Sequence, residues 1–251
     1  MSSFPAPPRL ALILPAAGRS TRFLASADGS ETAPCNEHPA AFKKPFLMLH
    51  GRPIWRWAME PFLQRTELVR VLIVVSPEDQ VWVQTRFEAE LRALGPMISV
   101  IPGGQERADS VEQGLRQVPS DVDLVAVHDA ARPLITATLV GDVVTAARRT
   151  GAALPATPIA STIKRVDTRQ MVTETVPRSG LWAAQTPQIV RRDWLLQAYA
   201  MRGTFQPTDE AQLIERLGQP VEVIPGEAWN LKITTWDDYQ LAEAILKGRR
   251  A

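Results

Sequence analysis

The stretch LALILPAAGRSTRF, residues 10–23, decides how the chain is read. From Leu10 to Pro15 the run is apolar without interruption, which suits a strand covered on both faces. Pro-Ala-Ala-Gly then breaks it, and Arg19 and Arg22 follow. Backbone N–H groups of Ala16, Ala17 and Gly18 can face an anion closely, because small side chains permit approach. Neither common phosphate fingerprint fits, however. There is no G-x-x-x-x-G-K-[ST], and Gly18 stands alone where G-x-G-x-x-G needs three glycines. The structural alternative is a tight strand-to-helix turn with solvated arginines.

The same pattern recurs down the chain. VRVLIVVS (69–76), ISVIPG (98–103), DLVAVHD (123–129) and GAALPAT (151–157) are short apolar runs closed by turn residues, and they read as buried strands. Between them RPIWRWAMEPFLQR, PEDQVWVQTRFEAELRAL, RADSVEQGLRQV and TATLVGDVVTAARRT space their apolar residues as helices do. The alternation predicts an α/β fold with a doubly wound, mostly parallel sheet. Ligands of such sheets sit beyond the carboxyl ends of the strands. Two segments depart from it. Residues 24–42 are rich in small, polar and Pro/Gly residues and read as a long surface loop. Residues 159–178 hold two β-branched runs, STIKRV and MVTETV, joined by Asp-Thr-Arg-Gln, as in a two-stranded arm. A lone hairpin is marginal in water, so this arm is expected to pack on something, a second copy of the chain being one candidate.

Composition narrows the class. With 251 residues, 45% hydrophobic and 22% charged, the chain has the make-up of a soluble globular protein, expected to form a single domain over 1–251. A formal net charge of +1 gives no reason to expect nucleic acid as a partner. One cysteine, Cys35, rules out an internal disulfide and a cysteine-based zinc site, and histidines at 38, 50 and 128 are too scattered for a His-rich metal site. No secretory signal and no membrane span are recognisable, so a cytoplasmic location is expected.

Several constellations carry chemistry. In KKPF, Lys44 supplies positive charge near the first loop, beside Arg22. GGQERADSVEQGL (103–115) places Gly103 and Gly104 before a helix whose start holds Gln105, Arg107, Asp109 and Ser110. Paired glycines let main chain approach a planar base, with Ser110 or Gln105 bonding its edge; a plain polar helix start is the alternative. VAVHDAARPLI (125–135) ends a strand in His-Asp and puts Arg132 three residues on. Asp129 there can hold a cation or a substrate hydroxyl, Arg132 can meet an anion, and His128 is expected simply to pack beside the strand. Further on stand Thr162, Lys164, Arg178, Asp209, Glu210 and Lys232. Asp209 and Glu210 suit a helix start equally well as capping residues, and Lys232 lies in the strand-like run NLKIT.

The ordered set PAAGRSTRF, KKPFLMLHGRPI, GGQERADSVEQGL, VHDAARP, ETVPRSGLWAAQTPQ, TDEAQLIE and NLKIT resembles the 2-C-methyl-D-erythritol 4-phosphate cytidylyltransferases, from about Leu10 to Leu246. The resemblance implies a Rossmann-like nucleotidyltransferase fold with a projecting β-arm, in a homodimer whose arms complete the partner's site. It implies transfer of CMP from CTP to methylerythritol phosphate by direct attack on the α-phosphorus, releasing pyrophosphate, with Mg²⁺ held mainly by the CTP phosphates and by no metal-ligating side chains. Carried over by position, Arg22, Lys44 and Lys232 are the catalytic charges. Pro15, Ala16, Ala17, Gly18, Gly103, Gly104, Gln105, Arg107, Ser110 and Asp129 bind CTP. Asp129, Arg132, Thr162, Arg178, Asp209 and Lys232 meet the second substrate, Thr162 and Arg178 across the dimer interface.

Some positions depart from the family's pattern. Residues 24–42 lengthen the loop between Arg22 and Lys44, Ser20 replaces a common loop glycine, Gln105 replaces a frequent acid, and Pro177 precedes Arg178. Two other readings remain open at this level, a ribitol 5-phosphate or other polyol phosphate cytidylyltransferase and a catalytically silent nucleotide-binding regulator. An NAD-dependent dehydrogenase would need the glycine-rich turn that is missing.

Overall fold

The computed structural model describes residues 8–26 and 38–250, apart from the side chains of Arg22 and Arg250. The first strand, β1 (Leu10–Pro15), is followed by a short helix, α1 (Thr21–Ser26). After two 3₁₀ turns, Pro39–Phe42 and Lys44–Phe46, come a small pair β2 (Met48–Leu49) and β3 (Arg52–Pro53), then helix α2 (Ile54–Leu63). Strand β4 (Leu68–Val75), helices α3 (Gln80–Arg86) and α4 (Glu88–Leu94), strand β5 (Ile98–Pro102) and helix α5 (Arg107–Leu115) complete the first half. The second half holds β6 (Leu124–Val127), α6 (Ala137–Thr150), β7 (Ala152–Pro158) and the arm strands β8 (Ile163–Val166) and β9 (Val172–Val176). It closes with β10 (Trp182–Ala184), β11 (Gln188–Arg191), α7 (Arg192–Ala200), α8 (Glu210–Arg216), β12 (Glu222–Pro225) and α9 (Trp236–Arg250).

Strand β1 lies inside the sheet, parallel to β4 on one side and β6 on the other, and β5 continues parallel to β4. Beyond β6 the sheet turns mixed. Strand β11 is antiparallel to both β6 and β7, β10 is antiparallel to the far end of β7, and β12 is parallel to β7. Alternate residues of β1 face opposite cores, as the period of two requires. Leu10, Leu12 and Leu14 pack with Trp55, Phe62, Leu139 and Val143, while Ala11 and Ile13 pack with Val111, Leu115 and Leu195. Both faces are therefore covered by helices, and this explains why the strands read as continuous apolar runs.

Four expectations need correction. The segment 77–94, read as one helix, is a 3₁₀ turn at Pro77–Asp79 followed by two helices that break at Phe87. Phe87 is buried and its ring meets Trp55, Trp82 and Phe46, so core packing outweighs helical continuity there. The loop expected over 24–42 is structured at both ends. Leu24–Ser26 finish α1, and Pro39–Phe42 form a 3₁₀ turn with Ala40 buried and His38 as its N-cap; residues 27–37 lie outside the described residues. NLKIT is irregular rather than a strand, held by the Ile233 N–H donating to Ala131 O at 2.9 Å. The short strands β10, β11 and β12 give no long apolar run and were not among the expected strands.

The arm forms as expected, with Ile163 opposite Val176 and Arg165 opposite Glu174. Between β10 and β11 the ladder on β7 is interrupted. The step from Ala153 to Ala156 on β7 is matched by the longer step from Ile189 back to Ala184. The surplus is taken up at Gln185–Pro187, which bulges towards the end of β6, and the Thr186–Pro187 peptide is cis. Gly151 closes α6 in the left-handed region at φ 94°, and a Cβ there would stand 2.4 Å from the Trp194 ring. Substituting Gly151→Ala adds backbone strain to that overlap, so we expect a loss of about 2–4 kcal/mol in urea unfolding.

Candidate active site

The carboxyl ends of β1, β4, β5 and β6 lie along one edge of the sheet, and the charged residues collect in the loops that leave it. At the end of β6 the His128 N–H donates to Ile13 O at 3.0 Å, so the β6 loop sits directly beside the loop after β1.

Asp129 is the centre of this edge. Its carboxylate is buried, and three cations converge on it: Lys232 Nζ at 3.0 Å, Arg132 Nε at 3.3 Å and Arg107 Nε at 3.4 Å. Burial pushes the Asp129 carboxyl up, but the cations at Lys232, Arg107 and Arg132 outweigh it and hold the group well below the usual carboxylate range. Arg107 also makes a bidentate pair with the fully buried Glu210, at 2.8 and 3.0 Å. Burial alone would favour a neutral Arg107, yet Glu210 and Asp129 raise its affinity for the proton above normal. Tyr199 donates to Glu210 at 3.4 Å, and burial followed by the Glu210 charge pushes its phenol up. Three cations against two carboxylates leave one positive charge in excess. Lys232 is the most exposed of the three cations, with 40% of its side chain open to solvent.

A neutral frame holds these charges in place. Arg132 Nη1 donates to Asn230 O at 2.7 Å, and the buried Asn230 donates to Thr186 O at 2.9 Å. The Asp129 N–H donates to Thr186 Oγ1 at 3.0 Å, and the same hydroxyl lies 3.0 Å from His128 Nδ1. Assigning the hydroxyl proton to His128 Nδ1 leaves Nε2–H to donate to Arg132 O at 3.3 Å, the neutral tautomer. His128 packs on Phe62, and burial depresses its pKa to about 4, so it is a core residue, as expected.

The glycine turn after β5 is shaped by its own helix. Ser110 is buried and its Oγ accepts from the Gly104 N–H at 3.2 Å. A Cβ at Gly103 would meet Ser110 Oγ at 2.6 Å, and one at Gly104 would meet Asp109 Cβ at 2.3 Å. The glycines are thus demanded by α5 packing against the turn, and Ser110 shapes the loop by accepting the Gly104 N–H. Gln105 is exposed beside it.

In the first loop, Pro15 ends β1, the Ala16 N–H donates to Val74 O at 2.7 Å, and Ala17 and Gly18 lie at the surface side of the turn. Ser20, at φ 55°, accepts the Lys44 N–H on its Oγ at 3.1 Å, bringing the KKPF segment against this loop. Arg22 sits on α1 by its backbone, and its side chain lies outside the described residues.

Three expected site residues stand apart. Asp209 caps α8, accepting from Gln212 N at 3.0 Å and Gln188 Nε2 at 2.9 Å, so both its oxygens serve the helix start. Thr162 and Arg178 are exposed at the base of the arm, where Arg178 donates to Ala160 O. Among the described residues neither makes a hydrogen bond or ion pair to the Asp129 cluster. The sequence reading passed over Lys43, Ser76, Asp79, Thr186 and Asn230. Lys43 could have been noticed as one of two adjacent lysines, and Thr186 as part of the AQTPQ motif, but the partners of each are remote in sequence.

The profile of the 2-C-methyl-D-erythritol 4-phosphate cytidylyltransferases matches residues 10–248. The chain belongs to this family. A cytidylyltransferase of this name from Frankia casuarinae is 44% identical, covering 96% of this chain and 82% of its own. Another, from Solibacter usitatus, is 38% identical over 97% of this chain and 98% of its own. The crystal structure of the Thermus thermophilus cytidylyltransferase superposes with a TM-score of 0.73 at 30% identity, covering 95% of this chain and 99% of the other. The match extends across the arm and α9 as well as the sheet, so it takes in every loop of the charged edge. No helix among the described residues is long and apolar enough to cross a membrane.

The buried His128 of this cytidylyltransferase gives a pH signature. Its folded pKa of about 4 lies below its ordinary value, so the unfolded chain binds the proton first as pH falls. The stability linked to His128 is therefore complete above about pH 6.5 and declines by roughly 3 kcal/mol towards pH 4. Urea titrations of His128→Gln should lack this part of the slope.

Proposed function

We propose that this member of the family transfers CMP from CTP to 2-C-methyl-D-erythritol 4-phosphate at the carboxyl edge of the sheet. The observation that carries the reading is the cationic excess around Asp129, lying beside the loop after β1 in a chain of this family. An ionised oxygen of the acceptor phosphate attacks the α-phosphorus of CTP. The new O–P bond forms as the bond to the α,β-bridging oxygen breaks, and pyrophosphate leaves with that electron pair. The nucleophile is already ionised, so no general base is required. The obstacle is repulsion between two polyanions, and preorganised cations lower it.

In this reading Arg22 and Lys44 grip the triphosphate, with Pro15 and the main chain of Ala16, Ala17 and Gly18. Gly103, Gly104 and Gln105 line the nucleoside pocket, which Ser110 shapes from behind. Lys232, the most exposed cation of the cluster, swings between Asp129 and the reacting phosphates. Arg132 faces the acceptor phosphate with Asp129, while Arg107 and Glu210 act as their buttress. The whole chain from 1 to 251 works as one nucleotidyltransferase unit.

Mg²⁺ belongs to this reading as an ion carried by the CTP phosphates. Among the described residues no three His, Cys, Asp or Glu side chains stand together as a metal site, and both Asp129 oxygens already face cations. In this reading the phosphates, not the described side chains, carry the ion.

Thr162 and Arg178 join the site only from the arm of a second subunit. The arm and the strand beside it expose Val166, Met171, Val172, Leu181 and Trp182, an apolar surface that a homodimer would cover. Replacing Met171 and Val172 by Asp should shift the protein towards monomer in light scattering and lower turnover with it; an unchanged dimer would contradict the arm's role.

Pyrophosphate release with CTP and Mg²⁺ tests the function, using methylerythritol phosphate and ribitol 5-phosphate in parallel. Release with the first acceptor alone is the expected result. In the same assay Lys44→Ala should lower kcat by about 10²-fold or more, as does removal of other preorganised charge-stabilising groups.

A further inference from the structure

Lys43 and Lys44 are adjacent, yet only Lys44 has a place in the reaction proposed above. Lys43 points into the protein, with 13% of its side chain exposed. Its ammonium donates to Asp79 Oδ2 at 2.5 Å and to Ser76 Oγ at 3.2 Å, and Glu78 Oε1 lies 3.7 Å away. Asp79 is 1% exposed, and Ser76 closes β4 at 6%. Ser76 Oγ in turn donates to Ala17 O at 3.0 Å. The ammonium has no lone pair to offer, so the direction of the chain is settled. Lys43 donates to the hydroxyl, and the hydroxyl donates on to the Ala17 carbonyl, with the Glu78 carboxylate beside it as the competing acceptor.

This fixes the peptide between Ala17 and Gly18. In a planar trans peptide the C=O and the following N–H point in opposite directions. With Ala17 O drawn down onto Ser76, the Gly18 N–H is turned outward. Gly18 is exposed, and a Cβ placed on it would meet nothing within 4 Å. Two residues later Ser20 Oγ receives the Lys44 N–H. The KKPF segment therefore grips the loop at both ends, at Ala17 through Ser76 and at Ser20 directly.

We propose that Lys43 is a positioning residue for the nucleotide: through Asp79 and Ser76 it aims the Gly18 N–H at a CTP phosphate. A charged donor at the head of the relay polarises the Ser76 hydroxyl, and the buried Asp79 keeps that donor from reaching solvent. The proposal rests on the reading that the loop after β1 meets the triphosphate. It adds that the loop's aim is set by residues that never touch the ligand.

The test compares CTP with cytidine, which has no phosphate. Ser76→Ala breaks the relay while leaving the Lys43–Asp79 pair intact, so no buried charge is stranded. We expect CTP affinity to fall about tenfold, the scale of one hydrogen bond to a charged group, and cytidine affinity to stay unchanged. A second variant, K43M/D79N, removes both charges together and should show the same selective loss. Lys43→Arg, which keeps a charged donor, should restore much of the affinity. Thermal unfolding of each variant checks the fold, and a variant that no longer unfolds cooperatively is replaced by the other as the deciding one. Equal losses for CTP and cytidine, or wild-type CTP affinity in S76A or in K43M/D79N, would overturn the relay. Should the wild-type protein itself bind CTP no more tightly than cytidine, the triphosphate reading of the loop fails instead.

Discussion

The Asp129 carboxylate draws Lys232, Arg132 and Arg107 to between 3.0 and 3.4 Å, and the charged edge of the sheet is organised around that attraction. Three like charges would otherwise repel one another in a half-buried space, and a buried carboxylate without them would take up a proton. Each side of the arrangement thus keeps the other ionised. Glu210, locked onto Arg107 from below, stops that guanidinium from turning to solvent. The excess positive charge is left where an incoming phosphate can find it.

The neutral frame matters as much as the ions. Thr186 receives the Asp129 N–H and reaches His128, while Asn230 holds the Thr186 carbonyl and lends its own carbonyl to Arg132. The ladder break between β10 and β11 is what delivers Thr186 to this position. The same economy is visible at the first loop, where Ser76 and Ser20 hold Ala17 and Lys44 with single hydroxyls. Groups fixed in this way need little reorganisation when charge moves, which is the physical basis of electrostatic catalysis.

Much of the fold was legible because a strand buried on both faces must be apolar at every position. That rule found β1, β4, β5, β6 and β7. It had no purchase on β11, only Gln188–Arg191, or on the edge strand β12. Helical periodicity found α2, α5 and α6 but could not see Phe87 turning into a cluster of aromatic rings. Of the candidate site, Asp129, Arg132 and Lys232 were marked by their motifs and do come together. Asp209 caps a helix, the alternative that its motif also allowed.

Local order along the chain was enough to establish an α/β protein, the strand ends at which charge collects and, through its ordered motifs, a resemblance to one family of cytidylyltransferases. Those are properties of neighbouring residues, and neighbours are what a sequence displays. Which charges are spent on one another is a different matter. Arg107 meets Glu210 across 103 positions, and Lys43 meets Asp79 across 36. Nothing near Arg107 or Lys43 in the chain names the carboxylate that each will meet. Folding brings a buried carboxylate to each, and burial makes the pairing obligatory, since an unpaired charge in the interior costs far more than the pair.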